Sequence, residues 1–416
     1  MTIQLFYGRQ VKLETPRSDV EISPAILNNQ CQRCLGDIKK QWRLPNEERY
    51  CWHCHLLGRV RESQYFGYLP EPHAFILPTR VCSWTGELTP AQKQISQAQL
   101  QALTNHSSHL TYAVTGAGKT EMIFPLLIQA IQQKKRIALV APRVDVVIEL
   151  NKRIHQFFLI DSVCCYGDSL EHYRYTQLLI ATTHQLMHFK AAFDVIIVDE
   201  GDAFPYVNDQ RLQVAVQQAL LEKGSIFYLT ATPSKQLMQQ VRQQILTYSI
   251  LTQRFHGHHL PQLTIKVSRY WRHQLPRYIK NRLKQYQQIK RQFLIFVPQV
   301  TDLQLIYNQI SDVISIGMVH ADSPKRHQLI EQMREKKLLG LITTTILERG
   351  VTFVGIDVII LGADELPFNE TALIQIAGRC GRSIERPTGL VLAIVSEVCY
   401  SVLAANNEIK YLNALR

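Results

Sequence analysis

Short apolar runs recur along most of the chain, and the segments between them repeat apolar residues at the spacing of a helix that buries one face. Such alternation predicts parallel strands joined by helices. The runs before residue 250 are Leu110–Val114, Arg136–Ala141, Leu178–Ala181, Phe193–Val198 and Ser225–Leu229. The runs after residue 290 are Phe293–Val297, Val313–Ile316, Gly340–Thr343, Val358–Leu361 and Leu390–Val395. The pattern therefore predicts the α/β fold class, with two consecutive parallel-sheet domains.

Two segments break this alternation. The first, from residue 1 to about 85, is irregular and rich in proline, and the second, QRFHGHHLP at 253–261, has the composition of a linker. We therefore expect a small N-terminal module over 1–85, a first α/β domain over 86–252 and a second over 253–416.

The amino-acid composition is that of a chain with several folded domains. The 416 residues are 46% hydrophobic and 19% charged, which is enough apolar material for sizeable cores. No apolar stretch approaches the ~18 residues of a membrane span, and Met1–Leu13 lacks the apolar core of a signal peptide. The nine cysteines are an odd number and lack the spacing of a disulfide scaffold. We expect a cytoplasmic protein in a reducing compartment.

The positive charge is concentrated in one stretch. The chain carries a formal net charge of +12, and between Lys223 and Thr301 it has no Asp or Glu. Aromatic residues such as Tyr270 and Tyr278 are interleaved with the cations there. Cations neutralise phosphates while aromatic faces stack on bases, so the stretch favours single-strand nucleic-acid binding over a merely solvated surface.

Four cysteines form two pairs in the N-terminal module. Cys31 and Cys34 make one CxxC pair, Cys51 and Cys54 make the other, and residues 35–50 lie between them. A gap in the range ~15–20 is typical of a structural zinc site. Each pair can direct two thiolates at one ion, and four thiolates complete a tetrahedron without an open position for catalysis. The spacing predicts a structural Zn²⁺.

A phosphate-binding loop follows the first predicted strand, in the sequence LTYAVTGAGKT. Its glycines would allow backbone N–H groups to surround phosphates, Lys119 would reach the β- and γ-phosphates, and Thr120 would bind Mg²⁺. Ala113 stands where the strict pattern has glycine. The predicted ATP-binding loop residues are Thr115, Gly116, Ala117, Gly118, Lys119 and Thr120.

Two acidic residues end the strand that begins at Phe193. Asp199 is expected to hold Mg²⁺, and Glu200 to polarise the water that attacks the γ-phosphate. With the GKT loop upstream, this pair predicts a nucleotide hydrolase.

With these two elements in place, the chain resembles a helicase-type motor of superfamily two from about Leu88 to Arg382. The resemblance implies two RecA-like domains. In the first domain it implies that Gln92 contacts adenine, and that Arg143 of motif Ia and Thr183 of motif Ib contact the nucleic-acid backbone. Asp199–Asp202 resembles motif II, and Thr230–Thr232 resembles motif III, which couples the two domains.

In the second domain, Phe296–Pro298 resembles motif IV and Thr343–Gly350 resembles motif V, which implies nucleic-acid contacts by Thr345 and Arg349. Gln375–Arg382 (QIAGRCGR) resembles motif VI. On a helix, Arg379 and Arg382 would share one face, so we expect both to act as arginine fingers that stabilise charge on the transferring phosphate.

A narrower resemblance covers nearly the whole chain. The four-cysteine module, the short two-domain motor and the residues Ala203–Tyr206 after motif II are similar to the ComFA family, the cytoplasmic ATPases of DNA uptake in naturally competent Gram-positive bacteria. Gly201 departs from the larger apolar residue usual there. The resemblance implies a single-stranded DNA translocase at the inner face of the membrane, with ComFC and the ComEC channel as partners.

Other interpretations remain open at this point. A PriA-like replication-restart helicase carries its zinc ligands between motor elements and is longer, unlike this chain. A non-motor nucleic-acid-binding scaffold conflicts with the intact Lys119, Glu200, Arg379 and Arg382. An RNA helicase is compatible with the motifs. The sequence does not determine translocation polarity, duplex separation or whether the protein is an oligomer.

Overall fold

The structure, a computed structural model, describes residues 2–167, 169 and 171–415. The contacts divide the chain into two compact units. The first comprises Met1–Tyr112 and Lys119–Ile250, and the second comprises Ala113–Gly118 and Leu251–Arg416. The predicted boundaries at residues 85 and 252 stay a prediction. No helix within the described ranges combines the length and apolar character needed to cross a membrane.

The N-terminal part of the first unit consists of short strands and 3-10 turns. Its strands are β1 (Val11–Leu13), β2 (Glu21–Pro24), β3 (Ile26–Leu27), β4 (Gln30–Cys31), β5 (Tyr50–Cys51), β6 (Val60–Arg61) and β7 (Tyr65–Tyr68). β1, β7 and β2 form an antiparallel sheet in that order, and β3–β4 and β5–β6 form two hairpins. The 3-10 turns are Ile3–Phe6 and Trp52–Leu57. The small sheet encloses its own core around Phe6.

The rest of the first unit is a seven-stranded sheet covered by helices. Its strands are β8 (Ser108–Ala113), β9 (Ile137–Ala141), β10 (Ser162–Cys165), β11 (Leu178–Thr182), β12 (Phe193–Asp199), β13 (Leu220–Thr230) and β14 (Leu246–Leu251). The order is β10-β11-β9-β12-β13-β8-β14, and the pairs from β10 to β8 are parallel. The helices are α1 (Pro90–Thr104), α2 (Lys119–Met122), α3 (Phe124–Gln132), α4 (Val144–Phe157), α5 (Gln210–Ala219) and α6 (Lys235–Arg242). Central strands β9 and β11 are buried along their whole length, as expected for a sheet with helices on both faces.

One buried arginine attaches the N-terminal part to this sheet. Arg136, just before β9, forms an ion pair with Glu71 at 2.6 Å, and both side chains are almost completely buried. The Arg136 guanidinium also donates to the carbonyl of Tyr7 and to the hydroxyl of Tyr173. A buried charge is tolerated only when it is paired and hydrogen-bonded. This network therefore holds the N-terminal segment on the sheet in one position.

The second unit contains a six-stranded parallel sheet. Its strands are β15 (Thr264–Val267), β16 (Phe293–Phe296), β17 (Ile316–Val319), β18 (Gly340–Thr343), β19 (Asp357–Leu361) and β20 (Val391–Val395), in the order β15-β20-β19-β16-β18-β17. Its helices are α7 (Arg277–Gln288), α8 (Val300–Ile310), α9 (Arg326–Arg334), α10 (Glu370–Ala377) and α11 (Tyr400–Ala414). The two parallel sheets confirm the predicted fold class.

The predicted strand Val313–Ile316 is displaced in the structure. β17 begins at Ile316, whereas Val313 and Ile314 lie in the turn after α8. Ile314 is nonetheless buried in the core. Its apolar character therefore reflects packing beneath α8, and apolar character alone does not distinguish a buried turn from a strand.

Candidate nucleotide-binding and metal sites

The phosphate-binding loop connects β8 to α2. Gly116 and Gly118 have φ angles of +80° and +74°, in the left-handed region that favours glycine. The N–H of Ala117 donates to the carbonyl of Val114 at 3.2 Å, which closes a tight turn. α2 then begins at Lys119, so Lys119 and Thr120 directly follow the loop. Backbone N–H groups in such a turn form a concavity suited to an anion.

Two carboxylates meet at the end of β12. Asp199 is the last residue of the strand, and Glu200 follows with a φ of +53°. The Glu200 N–H donates to Asp199 Oδ1 at 2.9 Å. Burial and the neighbouring Glu200 carboxylate together raise the pKa of Asp199 to about 7, although Lys119 opposes the rise. Carboxylates crowded in this way are stabilised by a divalent cation, so the donor set fits Mg²⁺.

Asp202 connects the acidic strand end to the neighbouring strand β13. Its carboxylate accepts a hydrogen bond from the Thr230 hydroxyl at 2.6 Å and another from the Thr232 hydroxyl at 2.5 Å. Thr230 is the last residue of β13 and is completely buried. Motifs II and III are thus joined by hydrogen bonds to a charged acceptor, which are the stronger kind.

In the second unit, the QIAGRCGR segment extends past a helix. α10 ends at Ala377, and Gly381 has a φ of +70°. The expectation that Arg379 and Arg382 lie on one helix is therefore wrong, because the helix stops before both residues and they lie in the following turn. Arg379 is buried and donates to the carbonyls of Glu348, at 2.9 Å, and Val351.

Arg382 makes hydrogen bonds within the same loop. Its guanidinium donates to the carbonyl of Gly378 at 3.1 Å and to the hydroxyl of Thr352 at 3.3 Å. Both motif VI arginines therefore contact the segment from Glu348 to Thr352, which overlaps motif V.

Arg254 is a buried residue of the second unit to which the sequence assigned no role. Its guanidinium donates to the carbonyls of Thr115 at 3.2 Å, Gly378 at 3.1 Å and Cys380 at 2.7 Å. Burial, with a smaller contribution from the nearby Arg382, lowers its pKa to about 10. His256 contacts the carbonyl of Gly381 at 3.0 Å. The signal in the sequence was the Arg254–His256 turn within the predicted linker, which is similar to the ComFA family.

The residues predicted to contact adenine and the nucleic-acid backbone differ in burial and in the element on which they lie. The side-chain oxygen of Gln92 accepts the N–H of Thr89 at 2.8 Å in a capping box at the start of α1. Arg143 is the half-buried N-cap residue of α4, and Thr183 is completely buried at the start of a 3-10 turn. In motif V, Thr345 is half-buried and Arg349 is buried.

The basic stretch divides into packed and exposed parts. Trp271 and Tyr286 are buried in the core of the second unit. Arg272 pairs with Asp302 at 2.8 Å and with Glu365 at 2.7 Å, and these hydrogen bonds raise its pKa. These residues stabilise the domain and are not part of a uniform binding face. The exposed cations on and just after α7 are Arg277, Arg282, Lys284 and Lys290.

The four cysteines of the N-terminal part converge. Their sulfur atoms all lie within 4.8 Å of one another, and all four residues are buried. The Sγ atoms are 3.8 Å apart for Cys31 and Cys54 and 3.5 Å apart for Cys34 and Cys51. A tetrahedron with Zn–S bonds of about 2.3 Å requires sulfurs about 3.8 Å apart, so the cluster can hold a zinc ion. Hydrogen bonds among the thiols lower the pKa of Cys31 and raise the pKa of Cys34 and of Cys54, as expected when one thiolate accepts from neighbouring thiols.

His53, between two of these cysteines, connects the cluster to α5. Its Nδ1 accepts a hydrogen bond from Arg211. Arg211 in turn pairs with Asp209 at 2.7 Å, and Asp209 is the N-cap of α5. The cysteine cluster is therefore fixed to the helix that follows motif II.

Known families match both halves of the motor. Residues 274–383 match the helicase conserved C-terminal domain, and residues 85–235 match the type III restriction enzyme, res subunit. The structure of Saccharomyces cerevisiae Dbp5 bound to RNA and ADP BeF3 is similar in fold, with a TM-score of 0.56 and 16% identity over 79% of this chain and 92% of that chain. Fold and motifs together define a helicase-type motor of superfamily two, and its helicase domains imply nucleotide-hydrolysing activity.

Two relatives match nearly the whole chain. The competence protein ComFA of Streptococcus pneumoniae (strain ATCC BAA-255 / R6) is 39% identical over 396 residues, which cover 92% of this chain and 90% of that protein. ComFA of Bacillus subtilis (strain 168) is 36% identical over 92% of this chain and 86% of that protein. The chain belongs to the ComFA family of competence proteins, which confirms the resemblance noted from its motifs.

Proposed function

We propose that this protein is an ATP-dependent single-stranded DNA translocase that drives DNA uptake during natural transformation. The observation that carries the proposal is the Asp199–Glu200 pair with Lys119 nearby, in a chain of the ComFA family. The exposed cations of α7 support a polyanionic track.

The catalytic roles follow from the chemistry of each side chain. Lys119 binds the β- and γ-phosphates of ATP, and Glu200 orients the attacking water. Thr120 and Asp199 are the residues that would hold Mg²⁺, which neutralises phosphate charge when it is bound. Arg379 and Arg382 stabilise negative charge on the transferring phosphate. In that role, both arginines exchange their present carbonyl and hydroxyl acceptors for phosphate oxygens.

The single DNA strand is bound by side chains from both domains. We assign Arg143 and Thr183 of the first domain, and Thr345 and Arg349 of the second, to contacts with the DNA backbone. ATP binding and hydrolysis make the two domains alternate in binding the DNA backbone, and this alternation moves the DNA strand. Because Thr183 and Arg349 are buried in this conformation, their contact with DNA requires local rearrangement.

The N-terminal module has a structural role in this proposal. Zn²⁺ held by Cys31, Cys34, Cys51 and Cys54 stabilises a segment that has few regular elements. The protein works at the inner face of the cell membrane with ComFC and the ComEC channel as partners, and it acts as a monomer or as an oligomer.

Steady-state ATP hydrolysis tests the proposal. The purified protein is assayed alone and with single-stranded DNA, duplex DNA or RNA, and Glu200→Gln serves as the inactive control. We expect single-stranded DNA to stimulate hydrolysis strongly and the variant to abolish it. Preference for RNA would instead indicate an RNA helicase. Hydrolysis that ignores every nucleic acid, or no hydrolysis at all, would favour the binding scaffold.

A further inference from the structure

The zinc module carries a row of neighbouring rings that has no part in the proposed motor: Trp52 and His55 are exposed, and Tyr50 is half-buried. Trp52 is 48% exposed and stacks on His55, with ring centroids 5.1 Å apart and planes inclined by 22°. On its other side, the ring of Tyr50 lies 6.5 Å from that of Trp52. The guanidinium of Arg59 lies 5.3 Å from the centre of the Tyr50 ring. We call these four side chains the aromatic row.

The cysteine cluster holds the aromatic row in place. Cys51 and Cys54 are completely buried, so Trp52 and His55, which directly follow them, point outward on the same 3-10 turn. The ring of His55 is oriented by a hydrogen bond from Nδ1–H to the carbonyl of Trp52 at 2.9 Å. Tyr50 lies on β5, whose pairing with β6 brings the chain around Arg59 back beside it. The rings are therefore ordered before any ligand arrives, which lowers the entropy cost of binding.

The charges around the aromatic row favour a polyanion. Three acidic residues of the hairpin region form ion pairs, Glu47 with Arg43, Glu48 with Arg61 and Glu62 with Arg49, and a fourth acid, Asp37, is exposed. Arg59, against the Tyr50 ring, has no ion-pair partner in the part of the chain that the structure describes. Lys39, which lies 5.6 Å from the centre of the Trp42 ring, and Lys40 are two further exposed cations of the module. Metal binding to the four thiolates adds negative charge, but that charge is buried beneath the rings.

Aromatic rings beside a cation that has no ion-pair partner are suited to binding a single nucleic-acid strand. Bases of a single strand stack on aromatic faces while cations neutralise the phosphates, and the stacking is tolerant of sequence. Protein interfaces also use Trp, Tyr and Arg as anchors, so the cation beside the rings is the feature that favours a polyanionic strand over a protein. The same turn contains two aliphatic side chains, Leu56 at 79% exposure and the half-buried Leu57.

We propose that the aromatic row of Arg59, Tyr50, Trp52 and His55 is a stacking platform for the bases of a single strand, and thus a second strand-binding site on the zinc module. The inference deepens the proposed function and rests on it for the identity of the strand as DNA. The module then contacts the transported strand itself, in addition to stabilising the N-terminal segment.

The test measures binding of a fluorescein-labelled (dT)20 oligonucleotide by the full chain. Trp52→Ala removes the central ring, and because one stacked base contributes about 1–3 kcal/mol, the Kd should rise about 5- to 150-fold. Trp52→Phe keeps a flat ring and should restore the Kd to within a few-fold of wild type. Ile76→Ala is the matched control, because Ile76 is a 97% exposed apolar residue of the same module without a ring. Zinc content and ATP hydrolysis without DNA should be unchanged in all three variants.

A second variant keeps the inference testable if Trp52→Ala disturbs the fold. Arg59→Gln lies outside both CxxC pairs and removes a cation without removing a ring. The slope of log Kd against log salt should fall by about 0.7 if Arg59 neutralises one phosphate of a single strand.

Two patterns of results separate this inference from the proposed function. If wild-type hydrolysis responds to (dT)20 and Trp52→Ala binds as tightly as wild type, the platform is refuted while the motor stands. Loss of natural transformation in that variant would then indicate a protein partner on this surface. If wild type neither binds (dT)20 nor responds to it, both proposals fail.

Discussion

Asp202 accepts hydrogen bonds from the hydroxyls of Thr230 and Thr232, one on each carboxylate oxygen, at 2.6 and 2.5 Å. The acid lies two positions after Glu200, and the threonines lie at the end of β13. Any shift at the end of one strand is therefore transmitted to the other through a charged acceptor that is 7% exposed. This pair of hydrogen bonds is the physical link between the proposed water-positioning residue and motif III.

Removing both hydroxyls should loosen this link. In Thr230→Val/Thr232→Val the side chains keep their shape, but Asp202 loses two donors. We expect the free energy of unfolding of the first unit to fall by about 3 kcal/mol, since hydrogen bonds to charged groups contribute about 1.5–3 kcal/mol each. Displacement of Glu200 should also lower kcat for ATP hydrolysis by about tenfold or more.

Urea unfolding in a Trp271→Phe background measures this change. Trp271 is the tryptophan of the second unit, so the fluorescence of Trp42, Trp52 and Trp84 then reports the first unit. Thr230→Ser/Thr232→Ser is the control, because it keeps both hydroxyls and should lose much less stability. Unchanged stability in the valine pair, together with a loss in the serine pair, would show that packing of the methyl groups matters and the hydrogen bonds do not.

His109 should make the first unit sensitive to acid. Thr247 donates its hydroxyl proton to the carbonyl of Ser108, so it accepts from His109 Nδ1–H at 2.7 Å. The other ring nitrogen is buried without a partner in the described structure. Protonation would place a buried charge there, and burial lowers the pKa of His109 to about 4.

The sign of the pH effect follows from this pKa. Between pH 6.5 and 4 the unfolded chain binds a proton that the folded chain refuses, so stability is present above pH 6.5 and lost as the pH falls. From pH 7 to pH 5 the loss should be about 2 kcal/mol. His109→Asn retains a donor for Thr247 and should remove that part of the pH dependence in urea titrations. The same substitution at exposed His259 should leave the pH dependence unaltered, and an unaltered dependence in His109→Asn would contradict the assignment.

The cysteine cluster predicts a metal-dependent N-terminal module. Cys51→Ser/Cys54→Ser removes two of the four thiolates, so we expect bound zinc to fall to background and proteolysis within the first 85 residues to accelerate. Atomic absorption and limited proteolysis measure these two effects. Cys82→Ser/Cys399→Ser is the matched double variant at cysteines outside the cluster, and it should retain the metal. Unchanged zinc content in the first variant would refute the four-cysteine site.

The exposed cations of α7 and its C-terminal end should contribute to DNA affinity. Replacing Arg282, Lys284 and Lys290 with glutamine should weaken (dT)20 binding and reduce the slope of log Kd against log salt by about 0.7 per lost phosphate contact. Lys134→Gln/Lys336→Gln/Lys337→Gln removes the same charge elsewhere and should leave the slope within error of wild type. If the two triple variants behave alike, this face is merely solvated.

The interior strands could be predicted from the sequence, but the outer strands could not. Val195–Val198 and Phe293–Val297 are continuous apolar runs because both faces of a central parallel strand are covered by helices. β14 and β15 lie at the ends of their sheets, and most of their residues are exposed or half-buried. They carry no apolar run for the same reason, so the periodicity did not reveal them.

Some residues of the candidate sites could likewise be predicted from the sequence, and others could not. The loop around Gly116 and Gly118 and the two CxxC pairs could be predicted, because phosphate and metal binding need particular residues at short sequence spacing. Arg254 and Arg272 could not be assigned from sequence, because a buried structural arginine and a DNA-binding arginine have the same local composition. Only their acceptors, which are backbone carbonyls for Arg254 and carboxylates for Arg272, distinguish them.

The sequence by itself thus determined the two α/β domains, the phosphate loop, the acidic strand end and the cysteine quartet, because each depends on neighbours along the chain. The tertiary structure alone decided that Asp202 bridges to Thr230 and Thr232, that α10 ends before Arg379, and that Trp52 and His55 form an exposed stacked pair. These features depend on the three-dimensional packing of side chains: which groups become buried, which find hydrogen-bond partners and which remain on the surface.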